Sequence, residues 1–375
     1  MKIISIGPAC PLRGGIAKFN ESFAMACKSA GYDVEVFSFR FLYPGFLFPG
    51  KSQYSDDPPP KEIKINSVLH SLNPFNWVIN SIRIIRLRPD IVVIHYWMPF
   101  FAPVLGFIAR RISRKTNARI IAIAHNLIPH EKQLFSGALS RFFINSIGGV
   151  VCLSSSVLED VRELTKTKPV VNLPHPLYDI YGTKVSKESA LRCLKLQPEK
   201  KYLLFFGLIR KYKGLELLLK SFAEINQPDL MLIVAGEFYE DKVFYYTLAE
   251  QLGISARVIF TDSFIPDEDV KYYFSAADMV VQPYITATQS GVTQIAYQFD
   301  CPMLVTNTGG LAEIVINNKT GFVCEKNHQE IADKISFFFK NNMADAMIEN
   351  IKKEKQRFSW DVFVKQFIVM AESLN

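Results

Sequence analysis

Short apolar runs, each followed by a helix-patterned stretch, repeat along this chain, and the whole pattern starts afresh half-way. In the first half, Lys2–Ile6, Asp33–Phe39, Ile91–His95, Arg119–Ala124 and Val150–Leu153 read as strands, and Ile16–Ala30 reads as a helix. The pattern restarts after the polar stretch Tyr178–Lys200. There Tyr202–Phe206, Leu230–Ala235, Val258–Thr261, Met279–Gln282 and Met303–Thr306 read as buried strands. Helices are predicted at Leu215–Ile225, Asp241–Gly253, Asp267–Ser275 and Gly291–Phe299. Strands that alternate with helices form βαβ units and parallel sheets. A chain of 375 residues has room for two such domains. The fold expected is therefore α/β, two Rossmann-like doubly wound domains in tandem. Ligands of such sheets gather outside the carboxyl ends of the strands, so two sheets facing each other would put both sets of loops in one cleft.

Other features bound the class. The first residues lack a basic region followed by a long apolar stretch, and Pro99–Ala109 is too short to span a bilayer; a cytoplasmic protein is expected. The six cysteines are scattered without metal-ligand or disulfide spacing, and four of them sit in or beside apolar segments, as core thiols do. Residues 42–60, rich in Pro, Gly and Phe, read as a mobile loop. Charge is uneven: residues 1–180 carry a net +9 and the remainder −2. A basic first half suits an anionic partner, such as a lipid surface or a phosphorylated acceptor. Arg110, Arg111, Arg114, Lys115 and Arg119 crowd beside the apolar run Phe100–Ile108, and Arg83, Arg86 and Arg88 form a second cluster. Both suggest peripheral contact with an anionic membrane; a solvated basic face is the plainer alternative. No motif that reads nucleic acid accompanies them, and no nucleic acid partner is expected.

Four loops carry chemistry-bearing residues at predicted strand ends. Gly14 and Gly15 follow the first strand and open a helix, where free N–H groups and the helix dipole suit an anion. Arg210 and Lys213 lie between the first strand of the second half and its helix, the place for a phosphate. In the loop 283–294, Ser290, Gly291 and Val292 start a helix with N–H groups available to phosphate oxygens, or Ser290 serves as its cap. His125 follows another strand, placed to hydrogen-bond a substrate or to brace its loop.

Together these loops resemble the retaining glycosyltransferases of family 4, which have the two-domain GT-B fold. The resemblance covers essentially the whole chain. It rests on the Gly14-Gly15 loop, the stretch Gly207–Gly214, the run Pro302–Val315 followed by Gly321-Phe322, and the ending Phe358-Ser359-Trp360-Asp361. It implies an acceptor-side domain over residues 1–180, a nucleotide-sugar-binding domain over 181–357, and a C-terminal helix over 358–375 that crosses back to the first domain. It implies that Arg210 and Lys213 hold the donor diphosphate, aided by the amides of Gly291 and Val292. It further implies that His125 contacts the donor sugar, that Gly14 and Gly15 lie against its phosphate and sugar, and that Phe264 and Ile265 flank the base. Donor and acceptor are then a nucleoside-diphosphate sugar and a glycan or lipid-linked acceptor. No metal and no cofactor are expected, because the two cations neutralise the leaving group.

The chain departs from the family in one motif. Where the family carries two glutamates separated by seven residues, this sequence has Thr286 and Gln294. An amide can still bind ribose hydroxyls, since it both donates and accepts. The departure keeps two alternatives in view: a nucleotide-sugar-binding subunit without activity, and a sugar-nucleotide epimerase of the same fold.

Overall fold

The computed structural model describes residues 1–43, 53–55, 58–127, 136–178, 180–287 and 290–374. They divide into two compact units: residues 1–176 with 359–375, and residues 177–358. Most of the loop predicted over 42–60 falls outside the described residues.

Unit 1 is built on seven strands: β1 (Lys2–Ile6), β2 (Asp33–Phe41), β3 (Lys64–His70), β4 (Ile91–Tyr96), β5 (Arg119–Ala124), β6 (Gly149–Cys152) and β7 (Val170–Asn172). Their order across the sheet is β3-β2-β1-β4-β5-β6-β7. Unit 2 has six: β8 (Lys201–Phe206), β9 (Leu230–Ala235), β10 (Val258–Thr261), β11 (Met279–Gln282), β12 (Met303–Thr306) and β13 (Gly321–Cys324), in the order β10-β9-β8-β11-β12-β13. The pairings in both sheets are parallel. Each sheet winds outward from its first strand, then returns to the other side of it. The direction reverses between β1 and β4 in unit 1 and between β8 and β11 in unit 2, and ligands of such folds bind at that reversal.

Burial on both faces explains why the central strands read as unbroken apolar runs. Ile4, Ile6, Val92, Ile94 and Ala122 fill the core of unit 1, and Leu203, Phe205, Leu232, Val234 and Val281 that of unit 2. Four cysteines, Cys27, Cys152, Cys301 and Cys324, are buried free thiols, and Cys193 is exposed. The stretch 178–200, predicted as a polar connector, contains a helix at Lys187–Cys193. Ser186 caps it by accepting from the Ser189 N–H, and Lys187 is paired with Asp278.

The C-terminal helix Trp360–Glu372 belongs to unit 1. Trp360 and Phe367 set their rings edge-on to Phe19 and Phe23 of the helix Gly15–Ser29, with centroids 5.2 and 5.1 Å apart. The apolar run Phe100–Ile108, which the sequence suggested as part of a membrane-facing patch, is spent on the core instead. Phe101, Val104, Leu105 and Ile108 are buried in the helix Ala102–Ser113 and the turn before it. Arg110 donates to Ser146 Oγ at 2.9 Å, and Arg119 to the Leu374 carbonyl at 3.1 Å, so these two cations are structural.

Candidate active site

In unit 2 the loops at the reversal of the sheet are bound to one another through their backbones. The Ile285 N–H donates to the Tyr212 carbonyl at 2.7 Å, tying the loop after β11 to the loop after β8. The Ile209 N–H donates to the Glu237 carbonyl at 2.9 Å, tying in the loop after β9. Gly214 ends the turn Lys211–Lys213 at φ 72° and precedes the helix Leu215–Ala223. A Cβ at Gly214 would collide with the Pro283 carbonyl, and its left-handed backbone is strained for any other residue.

This arrangement holds two cations without an acid paired to them among the described residues. Lys213 is only 8% exposed. Its ammonium lies 5.6 Å from the centre of the Tyr284 ring and beside Gly207, with no hydrogen bond or ion pair among the described residues. Burial, reinforced by the charge of Arg210, pulls its pKa down to about 7. Arg210 places its guanidinium 4.9 Å over the Tyr239 ring and likewise makes no ion pair among the described residues. The acid of that cluster, Glu240, is engaged by the Lys211 N–H and by the Tyr245 hydroxyl at 2.9 Å. A buried ammonium with no counter-charge is costly unless a ligand supplies one.

The loop after β11 ends in a helix cap. Ser290 is the helix cap: its Oγ accepts from the Val292 N–H at 3.2 Å and contacts the Tyr284 hydroxyl at 3.2 Å. In the empty protein the Val292 amide is thus engaged by the cap of its own helix. Gly291, first residue of the helix Gly291–Gln298, makes no N–H bond among the described residues and can meet a phosphate. Thr286 is exposed on its loop, whereas Gln294 is fully buried. Neither side-chain atom of Gln294 finds a partner among the described residues, and the same is true of Gln282 at the end of β11. A buried amide without partners costs free energy in the empty protein. Beyond β10, Phe264 is 42% exposed while Ile265 is buried.

In unit 1, Gly14 caps the helix Gly15–Ser29 at φ 120°, with open space where a Cβ would stand. His125, just after β5, is buried; its N–H donates to the Tyr96 carbonyl at 2.8 Å. Residues 128–131, which follow it in the same predicted loop, lie outside the described residues. His125 is joined by two histidines that sequence reading passed over. His95 Nδ1 lies 3.1 Å from His125 Nε2, and Phe19 presents ring edges to His95, His125 and His175 at 5.7, 4.8 and 4.8 Å. Burial lowers all three pKa values, His95 to about 3, His175 to about 4 and His125 well below its ordinary range, so all are neutral at pH 7.

The profile described as Glycosyltransferase Family 4 matches residues 13–175, and that described as Glycosyl transferases group 1 matches residues 186–354. A D-inositol 3-phosphate glycosyltransferase of Corynebacterium urealyticum is 30% identical over 77% of this chain and 72% of its own length. The chain belongs to the group 1 glycosyltransferases. An uncharacterized glycosyltransferase of Methanocaldococcus jannaschii is 27% identical over 58% of each chain, so this chain spans little more than half of that relative. The crystal structure of HepE from Anabaena in complex with UDP superposes with a TM-score of 0.77, at 17% identity and with both chains fully covered. The fold is that of the GT-B glycosyltransferases.

Proposed function

We propose that this transferase moves a hexose-type sugar from a nucleoside-diphosphate donor to a glycan or lipid-linked acceptor, with retention and without a metal ion, in the synthesis of a cell-surface polysaccharide or glycolipid. The observation that carries this reading is the pair Arg210 and Lys213, two cations at the sheet reversal of unit 2 that no acid neutralises among the described residues. In the transfer, the bond from the anomeric carbon to the diphosphate oxygen breaks through an oxocarbenium-like transition state. Negative charge builds on the departing diphosphate, and positioned cations stabilise it there. Arg210 and Lys213 take this role, with the Gly291 amide. Gly14 and Gly15 lie against the donor phosphate and sugar, His125 contacts the sugar, Gln294 the ribose, and Phe264 and Ile265 the base. Crystals of the Anabaena relative hold UDP and UDP-glucose, which favours a uridine donor here.

An anionic membrane is proposed as the working surface, at the inner face of the plasma membrane, and one exposed patch supports that reading. Along the helix Pro74–Arg86, Phe75 and Ile79 are 82% and 61% exposed, Leu72 just before it is 50% exposed, and the exposed Arg83, Arg86 and Arg88 follow in and just beyond its last turn. No helix among the described residues is long and apolar enough to cross a membrane. Apolar side chains flanked by arginines suit the boundary of anionic headgroups, where each cation contributes about 1 kcal/mol. Equal partition of the protein onto neutral and anionic liposomes at low salt would refute this part.

A second reading, a nucleotide-sugar-binding subunit without activity, is favoured by one observation: an exposed Thr286 stands where the family has its first motif glutamate. Incubation with UDP-, GDP- and other sugar nucleotides, with and without glycolipid acceptors, separates the two. Transfer or donor hydrolysis supports the enzyme, and tight binding without either product supports the subunit.

A further inference from the structure

A chain of hydrogen bonds runs from the loop after β1 to His125, and its direction is fixed by chemistry. The Pro8 carbonyl can only accept, so the group 2.9 Å from it is the Asn20 amide nitrogen. Asn20 Oδ1 therefore faces Ser5 Oγ, 2.6 Å away, and the Ser5 hydroxyl proton goes to it. With its one proton committed, Ser5 Oγ accepts from His95 Nε2 at 3.1 Å. His95 is neutral, so a proton on Nε2 leaves a lone pair on Nδ1. The atom facing that lone pair at 3.1 Å, His125 Nε2, must then be the donor.

We infer that Ser5, Asn20 and His95 are positioning residues that hold His125 as its Nε2–H tautomer, so that Nδ1 is the accepting edge of the ring. This rests on the proposed contact of His125 with the donor sugar and gives that contact its chemistry. His125 receives a hydrogen bond from a sugar hydroxyl; it does not donate one, and it carries no positive charge into the site. The relay sits at the reversal of the unit 1 sheet, with Ser5 in β1 and His95 in β4. Its members are buried, with Ser5, Asn20 and His95 all at 0% exposure, so no water competes for the bonds. Gly7 belongs to the same device. A Cβ on it would come within 2.8 Å of His95 Cβ, so only glycine lets the imidazole lie against the loop.

The fixed direction depends on Ser5. Without its oxygen, the pair of imidazoles can share its one hydrogen bond either way, and His95 gains by moving its proton from the orphaned Nε2 to Nδ1. The test reads the tautomers by nitrogen NMR of the full chain labelled at histidine, at pH 7 and with no sugar nucleotide present. Wild type is expected to show Nε2–H alone for both His95 and His125. Ser5→Ala is expected to show the opposite Nδ1–H form of His95, with His125 Nε2 unprotonated, in a substantial fraction. Ser5→Cys, which keeps the volume but accepts poorly, should do the same if Ser5→Ala does not fold. Wild-type His125 protonated on Nδ1, or tautomers untouched by both substitutions, would overturn the inference. Kinetics then separate it from the functional reading. Ser5→Cys should lower kcat about 10-fold with a smaller change in KM, and unchanged kcat despite a shifted tautomer would overturn the positioning role. Absence of transfer in wild type with the Nε2–H tautomers present would count against the proposed function alone.

Discussion

Replacing Lys213 by methionine should make unit 2 more stable while abolishing its affinity for diphosphates. Lys213 is 8% exposed and has no anion beside its ammonium among the described residues, and its pKa is pulled from 10.5 to about 7, chiefly by burial. A lysine whose pKa is lower folded than unfolded makes the unfolded state bind more protons between those two values, so stability rises with pH across that window. Below about pH 7 the full cost of the buried charge is present. Integrating at pH 7 gives a cost of roughly 4 kcal/mol, which falls to roughly 2 kcal/mol at pH 9. Lys213→Met removes it. The three tryptophans, Trp77, Trp97 and Trp360, all lie in unit 1, so their fluorescence does not follow this change. Amide exchange in β8 and β11 does, once corrected for the intrinsic rate at each pH. At pH 7 the substitution should slow exchange there by up to about 1000-fold, and the gain should shrink by pH 9. A nucleoside diphosphate that slows exchange in wild type should no longer do so in the variant. Faster exchange in Lys213→Met at pH 7, or a gain that does not shrink with rising pH, would refute the account of an uncompensated charge awaiting a ligand.

Three further outcomes follow from the same structure. Arg210→Ala should cut turnover at least about 100-fold, the scale of a lost charge-stabilising donor, and turnover of wild type should survive EDTA; activity lost to EDTA and restored by magnesium or manganese would contradict the role given to the two cations. Gln294→Met removes a buried amide that has no partner among the described residues, so stability should rise by about 1 kcal/mol or more while donor affinity drops by about 1 kcal/mol, and an unchanged Kd in calorimetry would remove Gln294 from the ribose site. The three buried histidines make unit 1 acid-sensitive: each has a folded pKa below 6.5, so stability is full above that value and falls as pH drops below it, by up to about 1.4 kcal/mol per pH unit for each group. Denaturation followed by tryptophan fluorescence between pH 7 and 4.5 checks this, and a flat profile would mean that the cluster admits protons while folded.

Central strands were legible in the sequence because burial on both faces leaves them mostly apolar: β9, β11 and β12 were read to the residue, and β8 to within one. The edge strand β10 was read to the residue as well, because its half-buried run Val-Ile-Phe-Thr is β-branched and aromatic. The strands missed are β3, β7 and β13, and each lies at or next to a sheet edge. β3, Lys-Ile-Asn-Ser-Val-Leu-His, is half exposed and mixes polar residues into its run, while β7 has three residues and β13 four. The site loops were legible because glycines and cations at strand ends are local signals. The status of the Val292 amide was not, because it depends on where the Ser290 hydroxyl turns. Nor was the relay behind His125, since Ser5, Asn20 and His95 come from three distant segments. One signal was present: Ser5 and His95 are polar residues inside β1 and β4, which are otherwise nearly free of them.

The membership of residues 359–375 in unit 1 bears on how the molecule is made. Unit 2 is, in chain order, an insertion within unit 1. On the ribosome, residues 1–176 emerge before unit 2, yet the helix that covers Phe19 and Phe23 arrives after it. All of residues 177–358 are synthesised in between, a delay of roughly 10–40 s at about 5–20 residues per second. During that interval the amino-terminal sheet stands with an apolar face uncovered while the later domain completes itself. Nascent chains should therefore recruit holding chaperones at the first domain until residues 359–375 are made, and a stop codon at Ser359 should yield a protein whose second unit is folded and whose first is the target of proteolysis.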